Sequence, residues 1–349
     1  MATDWSGRKY RVLKSLGENI DMIFGVYRPA DHGMTWFLHS HEVDDGGGAI
    51  VKILASLGVH LPPKVPKAGP AKPGWLTRMQ ALRLHLRNSS PVDYPWARPA
   101  VEASNAPSQA DEACFVYYLM PQADSAQVKQ HARDLKVGET SFFLACLDKV
   151  CRARFLTQDS ERVWMMPHDF RRSLGISTQS GNWTAPVSLR LRGEPHAQAI
   201  FQQLKGLYQQ GILWGSWHYT NFARWLSDAM IRRAYRRLQH RAWFGVYANM
   251  SAWQAPPEDA HKLAGGWVIS APPVSAVCPI TTGSFTWEGQ TGFTLQLHPT
   301  LGADRQAAIS LMAQWIGEIC AEAGVPPADI HPQCIAMHEL RQQARRVHA

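Results

Sequence analysis

Two histidines, His39 and His41, stand two residues apart at the end of an apolar run. His41, Asp45 and Gly46 fall in the pattern H-x-x-x-D-G. An imidazole ionises near working pH, so it can take a proton from an incoming hydroxyl or amine. That chemistry suits transfer of an acyl group from a thioester. The base must also be held in one orientation, and an Asp four residues on, after a tight turn, can stabilise that turn rather than contact the ring. The glycines that follow let the backbone fold sharply and approach a ligand. Three fixed positions are also met where a histidine beside a strand is a structural group.

A metal offers another use for the same residues. His39 and His41 share a face if the run is a strand, and Glu42, Asp44 and Asp45 could add oxygens. A zinc site needs further convergent ligands, which the sequence does not place, so no metal is expected. There is no GxGxxG, Walker A or GxSxG element.

The elements that must position this motif follow from patterning. MTWFLH (34–39) predicts a buried strand, HEVDDGGG a turn and AIVKILASLG a short helix. Residues 58–75 are rich in Pro, Gly and Lys and predict a loop, followed by a helix over WLTRMQALRLHLRN. A second loop-like stretch, 88–112, sets a boundary between halves at 1–108 and 109–349. Beyond it the pattern predicts a strand at 114–121, a helix at 125–135 capped by Ser125, and a helix at 139–156. A strand at 162–170 runs into Arg171 and Arg172, and a half-exposed strand spans 182–192. Helices at 195–210 and 214–243 precede a strand at 244–251, and β-structure is expected through GGWVISAP, GSFTWEG and GFTLQLHP. The last clear helix covers 303–323.

FLHSHEVDDGGG resembles the strand–HHxxxDG–helix element of the chloramphenicol acetyltransferase-like and condensation-domain superfamily. The likeness is to the wax ester synthase/diacylglycerol acyltransferase-like and polyketide-associated acyltransferase branches. Downstream, VWMMPHDFRRSLG, SGNW, VYANMS and GSFTWEGQTGFTLQLHP are similar to later elements of that superfamily, in the expected order. The resemblance implies an α/β fold of two halves, each a mixed sheet flanked by helices, with a central channel. It implies an acyltransferase with acyl-CoA or an acyl carrier protein as co-substrate, a hydroxyl or amine acceptor, and no tightly bound cofactor. The second His of the pair is the base there, which maps to His41; Ser40 stands at the first. Arg171 is implied to pair with Asp45, and Asn249, Ser251 or Asn182 to lie near the pocket or the oxyanion. The DFGWG motif of the plant alcohol branch is absent. The motif begins much earlier than in the superfamily, so the N-terminal half is abbreviated. That departure favours an alternative: a catalytically degenerate fold serving as a binding or partner subunit. It also fits an oligomer or membrane docking that covers a thin wall.

Bulk properties bound the rest. The 349 residues are 45% apolar, with 14 Trp and a net charge of +8, which suits a large core and anionic partners. Arg232, Arg233, Arg236, Arg237 and Arg241 crowd one end of the 214–243 segment, beside Trp214, Trp217, Phe222, Trp225, Leu226 and Met230. The segment fits peripheral contact with lipid headgroups or the phosphates of coenzyme A, or else a solvated basic face. No helix-turn-helix, zinc-finger or RNA-binding signature supports nucleic acid. The six cysteines are dispersed, as expected for reduced, mostly buried thiols. The polar N-terminus lacks an apolar signal core and no run is long enough to span a bilayer, so a cytoplasmic location is expected.

Overall fold

Residues 21–40 fold back on themselves as an antiparallel hairpin, β1 (Asp21–Arg28) and β2 (Gly33–Ser40), in register from Asp21↔Ser40 to Arg28↔Gly33. Strand side chains alternate between faces, and both faces here are apolar. Met22, Phe24, Val26 and Phe37 pack with Ala49, Ile50, Ile53 and Leu54 of the following helix, α2 (Gly46–Ser56). Ile23, Trp36 and Leu38 pack on the other side with Phe115, Ile269 and Leu340. The computed structural model describes residues 5–31, 33–62, 72–97, 114–176, 180–223, 225–326 and 330–346.

The strands among the described residues form two sheets. The first is four-stranded, in the order β11–β2–β1–β7, where β7 is Trp267–Ala271 and β11 is Arg345–Arg346. The second is seven-stranded, in the order β10–β3–β9–β8–β6–β4–β5. Its strands are β3 (Cys114–Leu119), β4 (Arg162–Asp169), β5 (Thr184–Leu191), β6 (Gly245–Trp253), β8 (Ile280–Trp287), β9 (Gln290–Leu297) and β10 (Gln333–Ala336). Both sheets are mixed: β11 runs parallel to β2, and β6 runs parallel to β4 and β8. The sheets come into contact where β7 crosses β8 and β9. At Gly292 a Cβ would lie 2.5 Å from Ile269 Cγ2, so only glycine permits this approach.

Helices cover the larger sheet. Two of them, α5 (Glu139–Phe155) and α10 (Arg305–Glu322), bury Phe143 and Trp315 against Phe293 of β9. The others are α1 (Trp5–Lys14), α3 (Trp75–Asn88), α4 (Gln122–Asp134), the short α6 (Arg171–Leu174), α7 (Ala197–Gln209), α8 (Ile212–Ala223), α9 (Asp228–Leu238) and α11 (Met337–Gln343). The fold is thus the expected α/β pair of mixed sheets flanked by helices.

Two expectations are corrected, the Ser125 cap and the single helix over 214–243. Ser125 does not cap α4; Pro121 is the N-cap residue. The Ser125 hydroxyl instead donates to Met120 O and accepts from Thr291 N, sewing the helix start to β9. The helix expected over 214–243 is two helices, because Ser227 caps a new start by accepting from Met230 N. The boundary placed at 108/109 lies outside the described residues. Sheet membership crosses it, since β7 and β11 complete the sheet that β1 and β2 begin. The sequence pattern did not predict α1, β1, the short α6 or the β10–α11–β11 segment. Among the described residues no helix is long and apolar enough to cross a membrane. The cysteines form no disulfide; five are buried and Cys334 is half-buried.

Candidate active site

The H-x-x-x-D-G motif lies where β2 ends and α2 begins. Val43 N donates to Ser40 O at 3.1 Å, which closes the turn. Asp45 is the N-cap of α2 and accepts from Gly48 N at 2.9 Å. Its carboxylate also takes Arg171 Nη1 at 2.8 Å, Arg171 Nη2 at 3.1 Å and Trp183 N at 2.9 Å. The structure therefore brings Arg171 and Asp45 together in a buried bidentate pair, with Arg171 only 4% exposed. Arg171 Nη2 further donates to Gly181 O at 3.0 Å, while Arg172 is exposed. Every one of those bonds leads away from the imidazole, so the Asp45 carboxylate makes no hydrogen bond with the ring.

Asp44, beside it, is fully buried. Its carboxylate accepts from His39 Nε2 at 2.8 Å, Lys52 Nζ at 2.8 Å and Gly181 N at 2.7 Å. Burial raises the carboxyl pKa, but His39, Lys52 and the Gly181 N–H outweigh it and hold Asp44 well below the usual range. This commitment takes His39 out of any shared role with His41. Among the described residues no cluster of three or more His, Cys, Asp or Glu could hold a metal.

His41 is half-buried. Its Nδ1 lies 3.0 Å from Asp44 O, and a carbonyl can only accept, so this contact favours the tautomer with the proton on Nδ1 and the lone pair on Nε2. The Asn182 amide nitrogen donates to His41 O at 3.0 Å and also lies 2.9 Å from Nδ1. Tyr10 of α1 stacks on the ring, with centroids 4.6 Å apart and planes 25° apart. Burial pushes the His41 pKa down, and Lys9 and His39 push the same way, against the Asp44 carbonyl and Asp45. The imidazole is therefore held neutral. It lines a cavity of about 290 Å³ between the two sheets, together with Met22 and Phe24 of β1, Met250 and Trp253 of β6, and Pro272.

Asn249 and Ser251 line the same cavity, at a bulge of β6 where Ser251 takes φ 62°. One Asn249 N–H is committed to Thr140 Oγ1 at 3.0 Å, and its Oδ1 accepts from Ser251 N at 2.7 Å. Asn182 does not line the cavity; it is a bracket for the His41 backbone and ring. Sequence reasoning missed Tyr10, the His39–Asp44–Lys52 cluster, and the cavity hydroxyl residues Thr184 and Ser270. No local pattern marks Tyr10, whose role depends on where α1 docks.

No protein-family model matches the sequence, and no curated protein does. Solved structures do match. The condensation domain of the Monacolin K polyketide synthase MokA aligns at TM-score 0.51 and 14% identity, over 81% of this chain and 68% of that one. Polyketide synthase associated protein 5 from Mycobacterium tuberculosis aligns at TM-score 0.51 and 12% identity, over 83% and 73%. The epimerization domain from the third module of tyrocidine synthetase B aligns at TM-score 0.51 and 10% identity, over 81% and 67%. Of a further condensation-domain structure the chain spans 58%. Identities this low speak for the fold alone, and they agree with the arrangement described above: the chain has the two-sheet α/β fold of condensation domains.

Proposed function

We propose that the protein is an acyltransferase that moves an acyl group from a thioester donor, acyl-CoA or an acyl carrier protein, to a hydroxyl or amine. The observation that carries this reading is the His41 imidazole, with Nδ1 3.0 Å from the Asp44 carbonyl oxygen, on the wall of a cavity between two sheets. Likeness in fold to domains of the Monacolin K polyketide synthase and of tyrocidine synthetase B supports a thioester donor. Nε2 of His41 takes the acceptor proton as the acceptor's oxygen or nitrogen attacks the thioester carbonyl. The tetrahedral oxyanion falls to cavity groups, Ser251 and the second N–H of Asn249. Collapse expels the thiolate, which recovers the proton from the imidazolium and leaves as thiol. The chain's own residues supply every proton step.

Other parts of the reading concern surroundings. Arg232, Arg233, Arg236 and Arg237 line the exposed side of α9, while Ile231 and Tyr235 face inward. That face supports contact with an anionic membrane surface or with the phosphates of coenzyme A, in a cytoplasmic protein that acts alone or as an oligomer. The binding-only alternative draws on one observation, that Tyr10 covers a face of the His41 ring.

Thiol release from acyl-CoAs of graded length and from an acylated carrier protein, with alcohol and amine acceptors, tests the proposal. His41→Ala should lower acceptor-dependent release about 10²–10⁴-fold with its circular dichroism unchanged. Activity needs the neutral ring, and the His41 pKa lies below 6.5, so the acid limb of kcat/KM should also fall below pH 6.5. Equal rates in both proteins remove His41 as the base, and no turnover from any donor leaves the binding-only reading.

A further inference from the structure

Tyr10 stacks on His41, but a stack does not tell one edge of the ring from the other. A half-turn about Cβ–Cγ keeps the ring plane, puts Cδ2 in the place of Nδ1 and Cε1 in the place of Nε2. The base is then turned away. Hydrogen bonding at Nδ1 separates the two orientations, because a C–H edge cannot reproduce it. Two groups meet that nitrogen: the Asp44 carbonyl oxygen at 3.0 Å and the Asn182 amide nitrogen at 2.9 Å. A carbonyl accepts and an amide N–H donates, so one of the two is bonded whether or not Nδ1 carries the proton.

Both groups depend on one carboxylate. Asp44 is wholly buried, and its oxygens gather donors from three parts of the fold: His39 Nε2 on β2 at 2.8 Å, Lys52 Nζ on α2 at 2.8 Å, and Gly181 N, ahead of β5, at 2.7 Å. The first two fix the residue whose carbonyl meets Nδ1. The third fixes the residue before Asn182, whose amide is further set by donating to His41 O at 3.0 Å and accepting from Thr184 N at 3.2 Å. Asp45 braces the same segment at Trp183 N, whereas Asp44 also carries an atom that meets the ring. Asp44 stands at a position that the H-x-x-x-D-G pattern leaves open.

We propose that Asp44 is a positioning residue for His41: its carboxylate ties β2, α2 and the segment at Gly181 together, holds both Nδ1 partners in place and so keeps the imidazole from turning over. The bearing of this on catalysis rests on His41 serving as the base.

The test is NMR of the full chain with ¹³C-labelled histidines, the His41 ring signals being assigned by their loss in His41→Gln. Wild type should give one set of His41 ring signals. Asp44→Ala should give two, with the turned-over population raised at least about five-fold, the worth of one neutral hydrogen bond. Asp44→Ser, with one hydroxyl for three donors, takes its place if circular dichroism shows Asp44→Ala unfolded, and should give the same result. Asp44→Asn is the rescue. Its oxygen can accept from Gly181 N and its amide can donate to His39, whose Nδ1 has no partner among the described residues and can take the ring's proton, while the partly exposed Lys52 turns to water. It should restore the single set. Ile316→Ala, a cavity in the core of the other sheet, should lower the urea midpoint and leave one set. A single set in the folded Asp44→Ala or Asp44→Ser variant, or a second set in Ile316→Ala as well, overturns the assignment. The ring signals need no substrate, so a silent acyl-transfer assay and a failed orientation test are separate outcomes.

Discussion

Asp45 gathers donors from three stretches of chain: Gly48 in its own helix, Arg171 after β4, and Trp183 before β5. A buried carboxylate so surrounded is costly to leave half-satisfied. Arg171→Met would strand its charge among backbone N–H groups and should cost about 3–5 kcal/mol, read as a lower urea midpoint. Adding Asp45→Asn removes the stranded charge and should recover much of that loss; a midpoint unmoved by Arg171→Met would mean the pair holds nothing in place. Arg171 and Asp45 lie 126 positions apart, so local spacing could not join them, and only the resemblance of VWMMPHDFRRSLG to a known element did. His41, Asp45 and Gly46 were legible because a tight turn brings sequence neighbours together. Tyr10 was not, because its meeting with His41 is made by helix docking.

At the scale of elements, α3 and α8 lie closer than ordinary side chains allow. A Cβ on Gly215 would sit 1.9 Å from Ala81 O, so glycine is required there. Into this contact α3 directs His85, which is 1% exposed, has no partner at Nδ1 and meets Tyr219 at 5.0 Å. Burial pushes its pKa down to about 4. Unfolded, the ring binds a proton near pH 6.5. Between pH 6.5 and 4 the unfolded chain therefore holds a proton that the folded one refuses. Stability should be full above pH 6.5 and fall by about 3 kcal/mol on acidification to pH 4. Denaturation of wild type and His85→Leu across that range checks this; parallel pH profiles would show that His85 titrates normally. The extent of α3 was legible to the residue from its pattern. Its crossing with α8 was not, nor was the break between α8 and α9, since a Ser-Asp pair inside a long apolar and basic run is a weak signal beside the run itself.

At the scale of the whole molecule, residues 333–346 act as a strap: β10 adds to the edge of the seven-stranded sheet and β11 to the edge of the four-stranded one. Between them Met337 and Leu340 of α11 fill the space against Ile23, Trp36, Leu38 and Phe115. Leu340 is fully buried, so Leu340→Ala should cost about 2–5 kcal/mol by loss of contacts and the cavity left behind. A thermal midpoint within error of wild type would mean the strap is detached in solution. Nothing in the strap's short, polar-flanked sequence announced it, because strands of four and two residues take their conformation from the edges they join.

The four-stranded sheet has a further consequence, for the order of events during synthesis. The β1–β2 hairpin is complete by residue 40, but β7, which covers its open edge, is made only at residues 267–271. At ribosomal speed that interval lasts roughly 10–50 s. Throughout it, the hairpin carries Ile23, Phe24, Val26 and Phe37 with an unpaired strand edge, the kind of surface that invites pairing with another chain. The hairpin therefore waits exposed through that interval, and the candidate active site at its end is complete only once Ser270, Ala271 and Pro272 have been made.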